Sequence, residues 1–238
     1  MRNIRLIILI LIFSTIPLAY VYGRSIWVPV YQQIAGKRSV DDVVKIYGAE
    51  AEERLKPYFD KAGVSYPPSK ITLLAIKSEK KLELWSNVGE VPKFIRSYPI
   101  KAASGVLGPK IREGDKQVPE GIYELDYLNP NSSYHLSMKL NYPNAFDRKH
   151  ASVEGRDQPG TNIFIHGKSV STGCLAMGDD TIEELFVLVT DIGRANVKVA
   201  IAPNDPRMVD LRNDTGKEWV SSLYKEITKF FGRYTNDV

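Results

Sequence analysis

The sequence predicts a mainly β fold, a sandwich or barrel, with α-helical appendages. Short strand-like runs recur between residues 71 and 201, and long loops rich in Gly and Pro separate several of them. A helical pattern interrupts these runs once, at about residues 182–192. With 43% hydrophobic and 25% charged residues, the composition is that of a globular protein, so we expect a packed core rather than disorder.

Residues 1–23 have the features of an export signal. Arg2 and Arg5 precede an uncharged run at 6–22, which at about 17 residues is at the short end of what a membrane-spanning helix needs. Basic residues before an apolar stretch are also typical of a secretory signal peptide. The bulky Tyr20-Val21-Tyr22 replaces the small residues that cleavage requires, which favours an uncleaved signal anchor. Either interpretation places the remainder of the chain outside the cytoplasm.

Residues 24–70 are predicted to form a helical stalk or cap. Ser39 and Asp42 have the spacing of a capping box, with Asp in place of the usual Glu or Gln, and apolar residues then recur at helical spacing. A second helix is predicted at about 49–62. Tyr66-Pro67-Pro68 is a stiff break before the next element.

Residues 71–203 have the strand patterns and form the predicted main domain. The predicted strands are 71–77, 81–86, 94–100, 122–128, 136–142, 162–165 and 197–201. The first two strands are predicted to form a hairpin, and a loop rich in Gly and Pro spans 104–121. His135 is expected to be an ordinary surface residue. The single helix at 182–192 is predicted to be capped by Asp180 or Thr181 and ended by Gly193.

Residues 204–238 form a predicted C-terminal helical extension. The segment begins polar and becomes amphipathic from about residue 219, so we expect a helix that packs on the surface of the domain. Contact with a partner or a membrane is the alternative interpretation.

Charge and motifs exclude several classes of function. The net charge is +4, and the basic residues are spread along the chain, which argues against a nucleic-acid-binding stripe. The sequence contains no glycine-rich nucleotide-binding motif and no paired C-x-x-C, so neither a nucleotide site nor a structural zinc site has support.

Cys174 is the only cysteine of the 238 residues, so no disulfide can form within the chain. A free thiol in an exported protein is a liability unless it is buried or has a chemical role. Three interpretations stay open on the count alone: a reactive nucleophile, a buried packing residue, and a disulfide to another chain.

The segment 163–177 carries the candidate chemistry. A predicted strand delivers His166, Gly167 permits a sharp turn, and eight positions later Gly173-Cys174 precedes the helix. This spacing allows a hairpin-like return that brings the imidazole to the sulfur, where an imidazolium would stabilise the thiolate. Backbone N–H groups of residues 172–174 are candidates for an oxyanion hole. The alternative is a core histidine and a packing cysteine that lie close together by chance. The candidate loop residues are Gly167, Ser171, Thr172 and Gly173.

These motifs resemble the L,D-transpeptidase catalytic domain family, of the YkuD type. Its pattern of I-H-G followed by S/T-H-G-C is matched by Ile165-His166-Gly167 and Ser171-Thr172-Gly173-Cys174. The stretches 98–110 and 142–148 resemble a gram-negative branch that includes enzymes hydrolysing the bond between murein lipoprotein and peptidoglycan, and 114–121 resembles the family's strand-entry loop. The resemblance covers about 71–203 and implies the YkuD-like β fold, with one helix after the catalytic Cys.

The sequence departs from the family pattern at three points. Thr172 replaces the usual second His, Ala176 replaces an Arg, and the loop from His166 to Cys174 is shorter than usual. The branch just described is similar in all three respects. The nucleophile and the base are retained, while the altered surroundings favour a specialised and hydrolytic member over a general cross-linking enzyme.

The resemblance implies the reaction, the partners and the location. Cys174 would attack the carbonyl at the L-centre of meso-diaminopimelate in a peptidoglycan stem peptide, with His166 as base and then acid. An amine or water would resolve the thioester, and neither a metal nor an organic cofactor is needed. The expected partners are stem peptides and a murein-linked lipoprotein. The expected location is the periplasm, with the N-terminal segment anchored in the inner membrane.

A polar cluster precedes the active segment. Asp147, Arg148 and His150 are candidates for binding the carboxylates of the stem peptide, Arg148 by a bidentate contact. The alternative is a structural ion pair. Glu113 and Asp115 resemble the paired carboxylates of a glycosidase. The neighbouring Gly and Pro residues instead indicate a turn, so we interpret both as charged loop residues.

Three hypotheses about function therefore remain. The first is an enzyme of the L,D-transpeptidase type that acts as a transferase or a hydrolase. The second is a catalytically silent envelope module that binds peptidoglycan. The third is a cysteine peptidase or acyltransferase with an unrelated envelope substrate.

Overall fold

The computed structural model describes residues 15–16 and 19–235. The predicted anchor, residues 1–23, therefore lies largely outside the described residues. Within those described ranges, no helix has both the length and the apolar character needed to cross a membrane.

The described residues form a sheet with helices on both faces. The helices are α1 (Arg24–Ala35), α2 (Val40–Lys61), α3 (Ala145–Val153), α4 (Asp179–Ile192) and α5 (Glu218–Phe231), with a 3₁₀ turn at Arg194–Asn196. The strands are β1 (Ile71–Ile76), β2 (Lys81–Ser86), β3 (Lys93–Pro99), β4 (Ala102–Ala103), β5 (Gly121–Asn129), β6 (Ser137–Leu140), β7 (Phe164–His166), β8 (Leu175–Ala176) and β9 (Val197–Ala202).

The nine strands form one sheet in the order β3-β2-β1-β9-β5-β6-β7-β8-β4. The pairs β1–β9 and β7–β8 are parallel, and the other neighbours are antiparallel. Strand β5 joins the two halves of the sheet, because it pairs with β9 up to Glu124 and with β6 from Leu125, with a register shift after that residue. The mainly β fold predicted from the sequence is confirmed, as an open sheet whose end strands are β3 and β4.

Both faces of the interior strand β1 are buried, which explains why five of its six residues are apolar. Ile71, Leu73 and Ala75 belong to the larger core, which is covered by α2 and α4. Leu74 and Ile76 belong to a second core on the opposite face, which α5 covers with its apolar side. The C-terminal helix predicted from residue 219 onward is therefore present and packs on the sheet.

The capping box that begins α2 is confirmed by two hydrogen bonds. The Ser39 Oγ accepts from the Asp42 N–H at 3.1 Å, and Asp42 Oδ2 accepts from the Ser39 N–H at 2.8 Å. The prediction of two separate helices was wrong, because one helix continues from Val40 to Lys61 through Gly48. A lone glycine weakens a helix by only about 1 kcal/mol.

Two further expectations about helices were wrong. A helix, α3, occupies residues 145–153, where the sequence predicted a polar cluster before a loop. Asn144 begins it with a capping box to Asp147. Helix α4 begins at Asp179 after Gly178, and no side chain caps it, so Asp180 and Thr181 lie inside its first turn. The predicted end at Gly193 is confirmed.

Candidate active site

The paired strands β7 and β8 place His166 and Cys174 beside the same cavity. Ile165 pairs with Leu175 and His166 with Ala176 in parallel register, so Cys174 directly precedes the partner strand. The predicted hairpin-like return was wrong, because the two strands run in the same direction. The loop between them reverses twice, with the left-handed backbone of Lys168 (φ 60) at its start and of Gly173 (φ 85) at its end.

His166 and Cys174 line one small cavity of about 220 Å³. Its other walls come from two loops and two strand ends: Asn129, Ser132, Ser133, Tyr134, Ser137, Phe164, Val170, Ser171 and Thr172. The structure therefore brings together the predicted nucleophile, the predicted base and two predicted loop residues. A volume of this size accommodates a single small side chain or an acyl group rather than a whole muropeptide.

The thiol of Cys174 is in its neutral form at neutral pH. Burial raises the pKa of the Cys174 thiol. A hydrogen bond from the Phe164 backbone and the positive charge of Lys110 both lower this pKa, but their effect is smaller than that of burial. The Sγ atom lies 3.8 Å from the carbonyl oxygen of Asn162, to which it donates. Any reaction in which this sulfur acts as a nucleophile would therefore require loss of its proton.

The imidazole of His166 is buried and fixed in one tautomer. Its Nδ1 lies 2.7 Å from the carbonyl oxygen of Gly167, which can only accept, so Nδ1 bears the proton and Nε2 is left as the base. Burial lowers the pKa of His166, against the hydrogen bond to Gly167, which raises it. Tyr134 packs on the ring with centroids 4.9 Å apart.

The resting pair differs from the expected ion pair. The two pKa directions favour a neutral thiol and a neutral imidazole over the predicted thiolate and imidazolium. In the described part of the chain, Sγ donates to the Asn162 carbonyl and the imidazole Nδ1 to the Gly167 carbonyl, and no hydrogen bond joins Sγ to the imidazole.

Two serine hydroxyls hold the backbone around the nucleophile. The Gly173 N–H donates to Ser104 Oγ at 2.6 Å, and the Cys174 N–H donates to Ser171 Oγ at 3.0 Å. Ser171 in turn donates to the Cys174 carbonyl at 2.6 Å. Both of these candidate oxyanion-hole amides therefore already have an acceptor. Either amide becomes available only when its serine rotates away.

Gly167 is required by packing. A Cβ at this position would lie 2.7 Å from the carbonyl oxygen of Tyr134 and 2.8 Å from Asp179 Oδ1. Asp179, at the start of α4, accepts from the Lys168 N–H at 2.9 Å and pairs with the Lys168 ammonium group. Burial opposes its charge, yet the bonds from Lys168 hold the pKa of Asp179 below its ordinary value. This carboxylate fixes the turn that follows the base.

Asp147 and His150 have structural positions away from the cavity. Asp147 completes the capping box of α3, and burial raises its pKa to about 6. His150 stacks on Trp219 of α5 with ring centroids 5.2 Å apart. Their predicted role in substrate binding has no support in this geometry.

Arg148 lines a separate open cleft of about 820 Å³. Gly160 and Thr161 also line this cleft, and the next residue, Asn162, is the one that accepts from Cys174 Sγ. The segment that lines the cleft is therefore continuous in the chain with the acceptor of the Cys174 thiol. Of the three polar candidates, only Arg148 lines this cleft, and its Nη1 donates to the Pro143 carbonyl.

His135 is not the ordinary surface residue that the sequence predicted. Its Nε2 lies 2.8 Å from Glu183 Oε1 on α4, and its ring packs edge-on against Tyr47 of α2. The partner lies 48 positions away in the chain, so no local pattern reveals the contact. Tyr134, Ser104 and Asp179 were missed for the same reason.

The two loop carboxylates hold the 110–117 turn. Asp115 accepts from the backbone N–H groups of Ile111, Arg112 and Gln117 at 2.9, 3.0 and 3.0 Å. Glu113 accepts from the Thr161 N–H at 2.7 Å. Over residues 15–16 and 19–235, no cluster of three or more His, Cys, Asp or Glu side chains could hold a metal ion.

Comparison with known proteins gives a family match over the residues that build this site. The family model for the YkuD L,D-transpeptidase catalytic domain matches residues 71–206. The Escherichia coli K12 protein named "Putative L,D-transpeptidase YafK" is 39% identical over 140 residues, which are 57% of this chain. The same alignment covers 54% of the relative, so the chain spans about half the length of that curated protein.

Solved structures give weaker likenesses. The helical cell shape determining protein Pgp2 from Campylobacter jejuni has a TM-score of 0.47 at 16% identity, over 76% of this chain and 78% of that one. Bd1075 from Bdellovibrio bacteriovorus has a TM-score of 0.43 at 22% identity, over 71% of this chain and 57% of that one. The family assignment rests on the sequence match.

Proposed function

Because this chain belongs to the L,D-transpeptidase catalytic domain family, we propose that it is a cysteine acyl-transfer enzyme acting on peptidoglycan stem peptides. A role connected with peptidoglycan follows from the family. The proposal adds the residues and the reaction: Cys174 is the nucleophile, and His166 is the base. The bond attacked is the amide at the L-centre of meso-diaminopimelate.

The fixed tautomer of His166 is the observation that carries the proposal. A neutral imidazole with its proton on Nδ1 presents Nε2 as a proton acceptor, and the raised pKa of Cys174 keeps a proton on sulfur for it to take. Both groups line the same cavity of about 220 Å³.

The proposed reaction has two halves. The Sγ–H proton passes to His166 Nε2 while sulfur attacks the carbonyl carbon, and the resulting imidazolium then protonates the leaving amine as the C–N bond breaks. The product is a thioester on Cys174. Attack by water or by a second amine, with His166 again taking a proton, releases the acyl group and restores the thiol.

The oxyanion that forms when sulfur attacks the carbonyl needs hydrogen-bond donors, and the nearby backbone amides already have acceptors. The amides of Gly173 and Cys174 are bonded to Ser104 and Ser171. We propose that substrate binding displaces one of these hydroxyls, after which the freed N–H donates to the developing oxyanion. The open cleft beside Asn162 would hold the rest of the stem peptide, with Arg148 pairing a carboxylate.

Muropeptide analysis tests the proposal. Purified sacculi are incubated with the full chain, and the products are identified by mass spectrometry as new cross-links, shortened stems or released protein remnants. Cys174→Ala should abolish turnover, and His166→Gln should lower it by about 10²–10⁴-fold. Ser169→Ala, in the same loop and exposed, is the matched control and should leave turnover unchanged. Product formation by the Cys174→Ala protein would refute the mechanism.

The same products separate a hydrolase from a transferase. We propose hydrolysis as the main outcome, since Thr172 and Ala176 occupy the positions where the usual family pattern has His and Arg. Release of a lipoprotein remnant from sacculi would identify a murein-linked lipoprotein as the substrate. Incorporation of an added amine acceptor in place of water would instead indicate transpeptidation.

A silent peptidoglycan-binding module is the second candidate, and one observation favours it. Two backbone amides next to the thiol are already satisfied by serine hydroxyls, so the resting loop is stable without a reacting substrate. This candidate predicts that the chain sediments with sacculi, that Cys174→Ala sediments equally, and that neither produces a new muropeptide.

We propose that the chain is held at the outer face of the inner membrane. The uncharged run at 6–22 follows two arginines, which supports anchoring with a cytoplasmic N-terminus. Helix α1 continues an apolar surface beyond this run. Ile26, Val30 and Ile34 recur every fourth residue with 76%, 55% and 85% exposure.

Cell fractionation tests this location. With the full chain expressed in bacteria, carbonate extraction should leave it in the membrane pellet, and protease added to spheroplasts should degrade it. Recovery in the soluble fraction, or protection from protease in spheroplasts, would contradict the proposed location.

A further inference from the structure

One wall of the cavity that contains His166 and Cys174 is a loop that accepts hydrogen bonds from residues outside the matched domain. The wall loop, residues 130–136, connects β5 to β6 and contributes Ser132, Ser133 and Tyr134 to the cavity lining. Tyr134 packs on the His166 ring, and the Leu136 carbonyl accepts from the Gly167 N–H at 3.1 Å. The position of the wall loop therefore sets both the width of the cavity and the surroundings of the base.

Arg38 joins the N-terminal segment to two points of the wall loop. Its Nη2 donates to the carbonyl of Pro130 at 2.7 Å and to that of His135 at 3.2 Å, which spans nearly the whole loop. Hydrogen bonds from a guanidinium are about twice as strong as neutral ones. A single side chain thus ties the two ends of the wall together.

Asn131 makes a reciprocal contact with the same residue. The Arg38 N–H donates to Asn131 Oδ1 at 2.8 Å, and Asn131 Nδ2 donates to the Arg38 carbonyl at 2.7 Å. Two bonds formed in this paired way fix orientation as well as distance. The contact therefore fixes the Asn131 side chain against the Arg38 backbone.

Helix α1 adds two more bonds from one of its faces. Arg24 Nε donates to the Ser133 carbonyl at 2.6 Å, and Gln32 Nε2 donates to the Asn131 carbonyl at 2.9 Å. Both residues lie on the face of α1 opposite the exposed stripe, together with the buried Val28. The carbonyls of four of the seven wall-loop residues accept from the segment 24–38.

We propose that Arg38, supported by Arg24 and Gln32, is a positioning residue for catalysis. The segment 24–38 lies before the matched domain at 71–206, yet it fixes the wall that packs on the base. Removal of the segment 24–38 would leave four carbonyls of the wall loop to hydrogen-bond with water and would let Tyr134 move relative to His166. The effect on turnover rests on the proposed function, whereas the effect on the loop does not.

Hydrogen–deuterium exchange of the full chain tests the structural half. Arg38→Met keeps the aliphatic stem and removes the donors, so amides of the wall loop should exchange about tenfold faster or more. Arg38→Lys retains one charged donor and should recover part of the protection. The matched control is Arg233→Met, because Arg233 also donates to a backbone carbonyl, that of Phe230 at 3.4 Å, far from the cavity. Unchanged exchange of the wall loop in Arg38→Met would overturn the proposal.

Kinetics and alkylation test the positioning half. Turnover of sacculi by Arg38→Met should show kcat lowered about tenfold with KM changed less than about twofold, since the base and not the binding cleft is affected. A bulky maleimide should label Cys174, the only thiol, about tenfold faster than in the unaltered chain, while iodoacetamide labelling changes little. A faster-exchanging loop with unchanged labelling and turnover would overturn the positioning role.

These readouts separate failure of this inference from failure of the proposed function. A chain without turnover on any sacculus would remove the proposed function, and the exchange and labelling results would still decide the role of Arg38. Should Arg38→Met not fold, Gln32→Ala removes a single neutral bond of 2.9 Å. It should raise wall-loop exchange about threefold to tenfold, and no rise would overturn the proposal.

Discussion

A methyl group at Gly167 should destabilise the protein by about 2–4 kcal/mol. The Cβ of Gly167→Ala would meet the Tyr134 carbonyl oxygen at 2.7 Å, Asp179 Oδ1 at 2.8 Å and His135 Cβ at 3.1 Å. Gly167 is not among the glycines with positive φ, so the penalty is steric rather than conformational. The wall loop, the start of α4 and the turn after the base would all have to move.

The magnitude comes from two contributions. Overpacking a filled site costs about 1–3 kcal/mol. The added methyl group would also push the backbone away from its hydrogen-bond partners. This weakens the hydrogen bond from the Gly167 N–H to the Leu136 carbonyl at 3.1 Å and the one from the Lys168 N–H to Asp179 Oδ1 at 2.9 Å. Hydrogen bonds of these kinds contribute about 0.5–3 kcal/mol each, and partial loss of both brings the total into the stated range.

Urea denaturation followed by tryptophan fluorescence measures this loss. Gly48→Ala is the matched control, because Gly48 lies inside α2 and its Cβ would make an ordinary contact of 3.4 Å with Val44 Cγ1. That variant should be neutral or more stable by up to about 1 kcal/mol. A free energy of unfolding for Gly167→Ala within about 0.5 kcal/mol of the unaltered chain would refute the packing argument.

Three further predictions concern titration and buried charge. Alkylation of Cys174 by iodoacetamide should have a pH midpoint above the ordinary thiol pKa of 9.0, because burial raises the pKa of this thiol; a midpoint near 7 would indicate a thiolate–imidazolium pair instead. Burial raises the pKa of Asp147 from 3.8 to about 6, so its contribution to stability should increase by about 2 kcal/mol as the pH falls from 6 to 4. The difference between urea titrations of the unaltered chain and Asp147→Asn measures this, and a pH-independent difference would contradict it. Lys77→Met should cost about 3–5 kcal/mol, because the buried Glu120, 2.9 Å from Lys77 Nζ, loses its counter-charge. Adding Glu120→Gln should recover more than half of that loss in the same assay, and an additive double mutant would argue against coupling.

Local patterns were sufficient to predict most of the sheet. Strand β1 reads as an apolar run because both of its faces are buried, and β5 and β9 alternate or run apolar in the same way. Strands β4 and β8, at two residues each, are too short to leave a period in the sequence. They pair with each other across more than 70 positions of the chain, and β8 also pairs with β7.

The missed helix α3 had a signal that could have been used. Asn144 and Asp147 have the same capping spacing as Ser39 and Asp42, which correctly predicted the start of α2. The two helices differ in the apolar residues beyond the cap. Helix α3 buries only Ala151, so it has no apolar stripe, whereas α2 buries four residues along one side.

The site was predictable as residues but not as geometry. His166 and Cys174 were found from their spacing and from the motif, because both lie in one short segment. The direction of the return, the two serine acceptors and the neutral state of the pair depend on neighbours from elsewhere in the chain. Ser104 reaches the Gly173 N–H across 69 positions, and no pattern within a segment encodes such a contact.

The segments outside the matched domain complete its core as well as its active site. Residues 71–206 include the second face of β1 and β9, where Leu74, Ile76, Ala200 and Ala202 are fully buried. The cover for this face comes from α5, which lies after the match, and the Tyr224 hydroxyl of α5 donates to the buried Glu120 at 2.8 Å. An isolated 71–206 fragment would therefore expose an apolar sheet face, and the buried Glu120 carboxylate would lose its hydrogen bond from Tyr224. Since the N-terminal segment also holds the cavity wall, the matched domain depends on both extensions for the geometry on which the proposed chemistry relies.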